Sequence, residues 1–192
     1  NGNPGEERWL LVELKLLADI GLVGLPNAGK STLLSSLSAA QPKIASYPFT
    51  TLEPHLGVLQ TAEHRPCIIA DIPGLIEGAH QGAGLGHKFL RHIERTKLII
   101  HIIDASGSIE NILNDQKTIE LELRNFNEDL LQRRQILLLN KTDLIEDPDQ
   151  LARLNEIFMK KGIKVLNISA MTGDGIEELK ELLLQTIEEE ID

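Results

Sequence analysis

Ile20-Gly21-Leu22-Val23-Gly24-Leu25-Pro26-Asn27-Ala28-Gly29-Lys30-Ser31 begins as an apolar run, stops at a glycine, and then fits the pattern G-x-x-x-x-G-K-[ST]. Ile20 to Val23 has no polar side chain, which suits a strand covered on both faces. Thr32 to Leu37 continues with helical character. A strand, a glycine-rich turn and a helix in that order are the context the phosphate-loop motif requires. Glycines let successive backbone N–H groups turn inward around a phosphate, and the helix adds its positive N-terminal end. Gly24, Leu25, Pro26, Asn27, Ala28, Gly29, Lys30 and Ser31 are therefore candidate phosphate-contacting residues. Lys30 would neutralise β- and γ-phosphates. The Ser31 hydroxyl would ligate Mg²⁺.

On either side of this stretch the chain alternates strand and helix. Short apolar runs occur at Cys67 to Ala70, Leu98 to Ile103, Ile136 to Leu139 and Ile163 to Ile168. Between them, Ile109, Ile112, Leu113, Ile119, Leu123, Phe126 and Leu130 recur with helical period. Asp147, Pro148 and Gln150 read as an N-cap, a first-turn proline and a capping-box partner, and Asp174 with Glu177 repeats that signal. Val12, Leu14 and Leu16 alternate with Glu13 and Lys15, as a half-buried strand would. The expected architecture is α/β: a P-loop NTPase three-layer sandwich with a mostly parallel central sheet of about six strands flanked by helices. Several apolar runs end in a polar residue, namely Asp71, Asp104, Asn140 and Ser169. In open α/β sheets ligands bind beyond the carboxyl ends of the strands, so these residues are placed for a ligand rather than for the core.

Three of those endings carry further chemistry. Asp71-Ile72-Pro73-Gly74 fits D-x-x-G: Asp71 would hold Mg²⁺ through its water shell, and the Gly74 N–H would contact a γ-phosphate. Tyr47-Pro48-Phe49-Thr50-Thr51 lies between the two phosphate motifs. Thr51 is favoured to complete the Mg²⁺ shell, with Thr50 as its competitor. Asn140-Lys141-Thr142-Asp143 fits N-K-x-D. A carboxylate at Asp143 can accept from guanine N1–H and the exocyclic amine, whereas adenine offers no such donor pair. A purine that left this charge unpaired would be rejected at a cost of several kcal/mol, about the penalty for burying an unsatisfied ionised group. Asn140 would contact N7 and brace the phosphate loop, and the Lys141 stem would lie over the ring. Ser169-Ala170-Met171 fits S-A-x, whose backbone N–H meets guanine O6. The ligand expected is GTP or GDP. An ATPase or kinase is the second class, and N-K-T-D speaks against it.

Composition narrows the setting. The chain has 192 residues, a formal net charge of −10 and 42% hydrophobic residues, enough for one sizeable core. The acidic balance disfavours sequence-independent nucleic-acid binding through this segment alone. One cysteine, Cys67, excludes an intrachain disulfide and fits a reducing, cytoplasmic setting. No apolar run approaches the roughly 20 residues of a membrane span. The start, Asn1-Gly2-Asn3-Pro4-Gly5, is turn material without an initiator Met, so an excised domain is expected. His55, His64, His87 and His92 show no metal spacing, His101 lies in an apolar strand, and His80 is read as a surface residue.

Taken with Ala18 to Gly24 and Tyr47 to Thr51, the run Asp71-Ile72-Pro73-Gly74-Leu75-Ile76-Glu77-Gly78-Ala79-His80-Gln81-Gly82-Ala83-Gly84-Leu85-Gly86 resembles the Obg (CgtA) family of GTPases. Phe89 to Arg95 shares the likeness. The resemblance implies a Ras-like G domain over residues 17–192, with residues 1–16 the tail of a preceding Obg-type domain or a linker. It also implies a role in large ribosomal subunit assembly, ppGpp as a regulatory ligand, and a monomer. Ras-like enzymes orient the attacking water with a Gln directly after the D-x-x-G glycine. Here that position is Leu75, so slow intrinsic hydrolysis is expected. A passive GTP, GDP or ppGpp sensor that recruits partners is the reading Leu75 keeps open. Asn27 stands in a context resembling potassium-activated GTPases, where it helps hold K⁺; its other reading is a loop stabiliser. The glycine-dense run from Gly78 and the Tyr47 to Thr51 stretch are expected to order around a γ-phosphate.

Overall fold

The computed structural model describes residues 18–44, 55–60, 66–71, 96–126 and 128–189. The strands are β1 (Ile20–Val23), β2 (Lys43–Ile44), β3 (His55–Leu59), β4 (Cys67–Asp71), β5 (Leu98–Asp104), β6 (Arg134–Asn140) and β7 (Val165–Asn167). They form one sheet in the order β2-β3-β4-β1-β5-β6-β7. β1 runs parallel to both β4 and β5, with Ile20 opposite Ile69 on one side and Leu98 on the other. The β5–β6 and β6–β7 pairs are also parallel, while β3 is antiparallel to β4 and to β2. The expected mostly parallel sheet is present, extended at its edge by the two-residue β2.

The helices are α1 (Lys30–Leu37), α2 (Ile109–Phe126), α3 (Gln150–Lys160) and α4 (Ile176–Glu188), with 3-10 turns at Glu128–Gln132 and Thr142–Leu144. Continuous apolar strands feed two layers because successive side chains point to opposite faces. Ile20, Leu22, Leu98, Ile100, Ile102, Ile136 and Leu138 face Leu33, Leu34 and Leu37 of α1 and Leu179 and Leu183 of α4. Val23 and Ile99 face Ile119 and Leu123 of α2. Ile103, Leu137 and Leu139 face Ile112 of α2 and Leu154 and Phe158 of α3. Each fully buried aliphatic side chain contributes about 1.5–3 kcal/mol, so the three layers are held by the alternation itself. Asp19 sets the entry to β1: its carboxylate accepts the Ile68 N–H at 3.0 Å, and its carbonyl accepts from Lys97 and Leu98.

Several boundaries differ from the sequence reading. β3 was not foreseen. Its sequence is His-Leu-Gly-Val-Leu, and Val58 is exposed while Gly57 and Leu59 are buried. α1 lies directly over Gly57, so the position against the core is filled by Leu34 from above. The run Ile163 to Ile168 yields only the three-residue β7.

Neither capping box forms. α3 starts at Gln150 without a side-chain cap. The Asp147 carboxylate accepts the Asp149 N–H and pairs with Arg153. The Gln150 amide crosses to the carbonyls of Ala105 and Gly107 at 2.8 and 2.9 Å, and so satisfies two groups of the turn after β5. α4 starts after Gly175, whose φ of 73° is left-handed. The Asp174 carboxylate accepts from Thr172 Oγ1 at 2.6 Å, and Glu177 pairs with Lys180. The expected strand through Val12 to Leu16 lies outside the described residues. Among the described residues, no helix is long and apolar enough to cross a membrane.

Candidate functional site

The carboxyl ends of β1, β4, β5 and β6 open on one mouth, because β1 takes β4 on one side and β5 on the other. That reversal is where open α/β sheets bind ligands. The loop leaving β1 turns over with Asn27 at φ 63° and Gly29 at φ 99°. A Cβ on Gly29 would stand 2.2 Å from the Asn140 side-chain nitrogen, so glycine is required there by both conformation and space. Asn tolerates the left-handed region better than other side chains, which accounts for Asn27 locally. Its side chain is exposed.

Lys30 points back across the loop. Its Nζ donates to the carbonyls of Gly24 at 2.9 Å and Leu25 at 3.0 Å. Burial holds the Lys30 pKa below the ordinary lysine value, and the nearby Asp71 charge acts in the opposite sense. Ser31 Oγ donates to Asp71 Oδ2 at 2.8 Å, joining the first turn of α1 to the end of β4. Asp71 is buried, and its second oxygen, Oδ1, has no hydrogen-bond partner among the described residues. A buried carboxylate oxygen without a donor is costly unless something else binds it. Hydroxyl and carboxylate are hard oxygen donors, and this pair fits Mg²⁺.

Asn140, at the end of β6, lies between two loops. Its Nδ2 donates to Ala28 O at 2.8 Å, and its Oδ1 accepts the Ala170 N–H at 3.0 Å. Both bonds are buried. Nδ2 keeps a second hydrogen, since an amide nitrogen carries two. Ser36 Oγ of α1 also donates to Ala170 O at 3.0 Å, a second tie between the same regions. The Ser169 N–H donates to Asp174 O, and Ser169 Oγ accepts from Thr172 N, so the turn is closed on itself. The Ala170 amide is thus committed to Asn140. The neighbouring Met171 is 82% exposed at the rim. Lys141 has a left-handed φ of 65°, which swings its side chain off the strand line to Asp104 Oδ2 at 2.6 Å. Asp143 follows in the 3-10 turn with its side chain exposed at the mouth.

Sequence reasoning gave Asp104 a place but no role. Burial works against its ionisation, yet hydrogen bonds from Lys141 and Ser106 outweigh that and hold its pKa below the usual carboxylate value. Beside it, His101 is buried with its Nε2 unpartnered among the described residues, and burial pushes its pKa down to about 3. His101, Asp104 and Asp115 border a cavity of about 30 Å³ behind Leu25 and Pro26, room enough for an ordered water. Asp115 is pushed up by burial and by Asp104. Phe49, Thr50, Thr51, Ile72, Pro73, Gly74 and Leu75 lie outside the described residues, as do His80 and the glycines from Gly78.

A family model described as 50S ribosome-binding GTPase matches residues 19–141. The chain belongs to this GTPase family. As a family member it is 57% identical to GTPase Obg of Desulfotalea psychrophila over 98% of its own length and 50% of that protein. It is 55% identical to GTPase Obg of Aquifex aeolicus, over 98% of its length and 55% of that protein. The chain spans about half the length of these relatives, and the resemblance to Obg read from the sequence is borne out. Among solved structures it is similar to a single-residue variant of Aquifex aeolicus Era bound to GDP·AlF₄⁻, at 26% identity and a TM-score of 0.64, over 87% of this chain and 56% of that one. The P-loop G-domain fold is thereby borne out too. The family match ends at Lys141, and the Obg relatives extend the likeness over nearly the whole chain.

Proposed function

We propose that this chain binds GTP and hydrolyses it to GDP and phosphate with Mg²⁺, as the switch domain of a larger protein. The observation that carries the reading is the Asn140 clasp, which brings the phosphate loop and the 169–171 turn to one mouth. In this reading Gly24 to Ser31 wrap the phosphates and Lys30 exchanges its carbonyl partners for phosphate oxygens. Ser31 and Asp71 hold Mg²⁺, with Thr51 as the third protein ligand and Thr50 its competitor. The bound ion neutralises charge on the phosphate oxygens. The Gly74 N–H meets the γ-phosphate, flanked by Ile72 and Pro73, and Phe49 borders the site. Asn140 offers its remaining Nδ2 hydrogen to N7, the Lys141 stem covers the ring, and Asp143 accepts from N1–H and the amine. With the Ala170 amide committed to Asn140, the Met171 amide is the donor best left for O6.

Asp143→Asn tests the purine assignment. Guanine-nucleotide affinity should fall by about two orders of magnitude, the worth of two hydrogen bonds to a charged group. Xanthine-nucleotide affinity should rise. Equal binding of ATP and GTP by the unaltered chain, or neither with Mg²⁺ supplied, would refute the reading. Leu75 cannot orient water, so turnover without a partner is slow. Multiple-turnover phosphate release separates a slow GTPase from the passive GDP or ppGpp sensor. K⁺ held near Asn27 would speed that release relative to Na⁺; equal rates leave Asn27 as a loop former. The family description, 50S ribosome-binding GTPase, supports contact with the large ribosomal subunit, and a cytoplasmic role in assembling that subunit is part of the proposal. Residues 1–16 are then the tail of a preceding domain or a linker. Co-sedimentation with 50S subunits that ignores the bound nucleotide would count against a switch.

A further inference from the structure

We propose that Asp104 is a positioning residue for purine recognition, acting through Lys141. The inference rests on the GTP-binding reading above and adds a residue outside the four sequence motifs. Asp104 and Asn140 are register partners at the ends of β5 and β6, and the Ala105 N–H donates to Asn140 O at 2.8 Å. The Asp104 carboxylate is held on one side by Ser106, whose N–H and Oγ reach Oδ1 at 3.0 and 2.6 Å. Its other oxygen takes Lys141 Nζ at 2.6 Å. The turn that carries Asp104 is itself pinned, because Gln150 donates to the carbonyls of Ala105 and Gly107. Asp104 is thus a fixed anchor at the site's mouth rather than a mobile surface carboxylate.

The anchored residue has unusual constraints of its own. Lys141 sits at φ 65°, between Asn140 and the turn bearing Asp143. Backbone conformation sets where its four-carbon stem starts, and Asp104 sets where it ends. Fixing both ends lays the stem across the mouth as an apolar floor, while a lysine without its anchor would extend its strongly hydrated ammonium into water. The pair is about two-thirds buried at each partner, so water screens it less than an exposed ion pair. Among the described residues the side-chain hydrogen bonds of the pair run to each other and to Ser106, none to the phosphate loop, and GTP and GDP carry the same purine. Asp104 should therefore affect GTP and GDP alike.

The test uses the whole chain with Mg²⁺ and a fluorescent GDP, reading dissociation rates and equilibrium affinity. Asp104→Ala should speed dissociation of GDP and GTP by the same factor, about tenfold, the worth of one charge-assisted hydrogen bond. Asp104→Asn keeps an oxygen toward Lys141 and should restore most of the affinity. In a Lys141→Met background, where the stem remains but the ammonium is gone, Asp104→Ala should have no further effect. Unchanged dissociation in Asp104→Ala, or fully additive effects in the double variant, overturns the proposal. Should Asp104→Ala fail to fold, Asp104→Ser, whose hydroxyl is too short to reach Lys141, compared with and without Lys141→Met decides between the same two outcomes. Failure of the unaltered chain to bind GDP would sink the GTP-binding reading instead.

Discussion

His101 carries an imidazole into the layer between β5 and α2, where neighbouring strand positions are aliphatic. Burial pushes its pKa to about 3, against about 6.5 in an unfolded chain. Between those values the unfolded chain takes up a proton that the folded chain refuses. Stability is therefore full above about pH 6.5 and falls with acidification, by up to about 1.4 kcal/mol per pH unit from this group. His101→Gln should flatten the slope, measured as urea midpoints at about pH 5.5 and 7.5. An unchanged slope would assign the acid sensitivity elsewhere. The sequence placed His101 in an apolar strand, and the structure puts it in the core. The same logic made Asp71, Asn140 and Ser169 legible as strand-end groups. The Asp104–Lys141 pair was not legible, because it depends on the β5–β6 register and on a left-handed lysine. Neither leaves a mark in residue order.

The strands were readable where both faces are buried, since an unbroken apolar run then has few other uses. β3 escaped because it is an antiparallel strand whose core position is occupied by Leu34 leaning over Gly57. The caps failed for a related reason. Gln150 has partners across the molecule, a tertiary contact invisible to a local pattern, and the Asp174 carboxylate is taken by Thr172 in the turn before its helix. Gly175 does what the missing cap would have done. Its φ of 73° turns the chain into α4, and a Cβ there would stand 2.5 Å from the Asn167 carbonyl oxygen. Gly175→Ala should cost about 1–3 kcal/mol from left-handed strain and this clash. Urea denaturation without nucleotide measures it, and a loss below a few tenths of a kcal/mol would mean that α4 can start elsewhere. The same variant should weaken guanine binding, because the 169–174 turn hangs on the start of α4.

The 24–31 loop, the 169–174 turn and Asp71 at the end of β4 are all joined to one sheet, so a ligand held there would be coupled to the fold. If the GTP-binding reading holds, GDP at about a hundred times its dissociation constant should stabilise the chain by about 2.7 kcal/mol. A melting temperature indifferent to GDP with Mg²⁺ would contradict it. The formal net charge of −10 disfavours sequence-independent association with RNA by this segment alone, so contact with a ribosome calls for basic protein or a neighbouring domain. The borders of the sheet bear on company of a different kind. Among the described residues β2 offers two residues and β7 three. Stubs of that length give a stray strand little ladder to climb, one of the ways proteins discourage edge-to-edge stacking. Light scattering should accordingly report one mass from dilute to concentrated solution. A mass that climbed with concentration would mean that some other surface recruits a second copy.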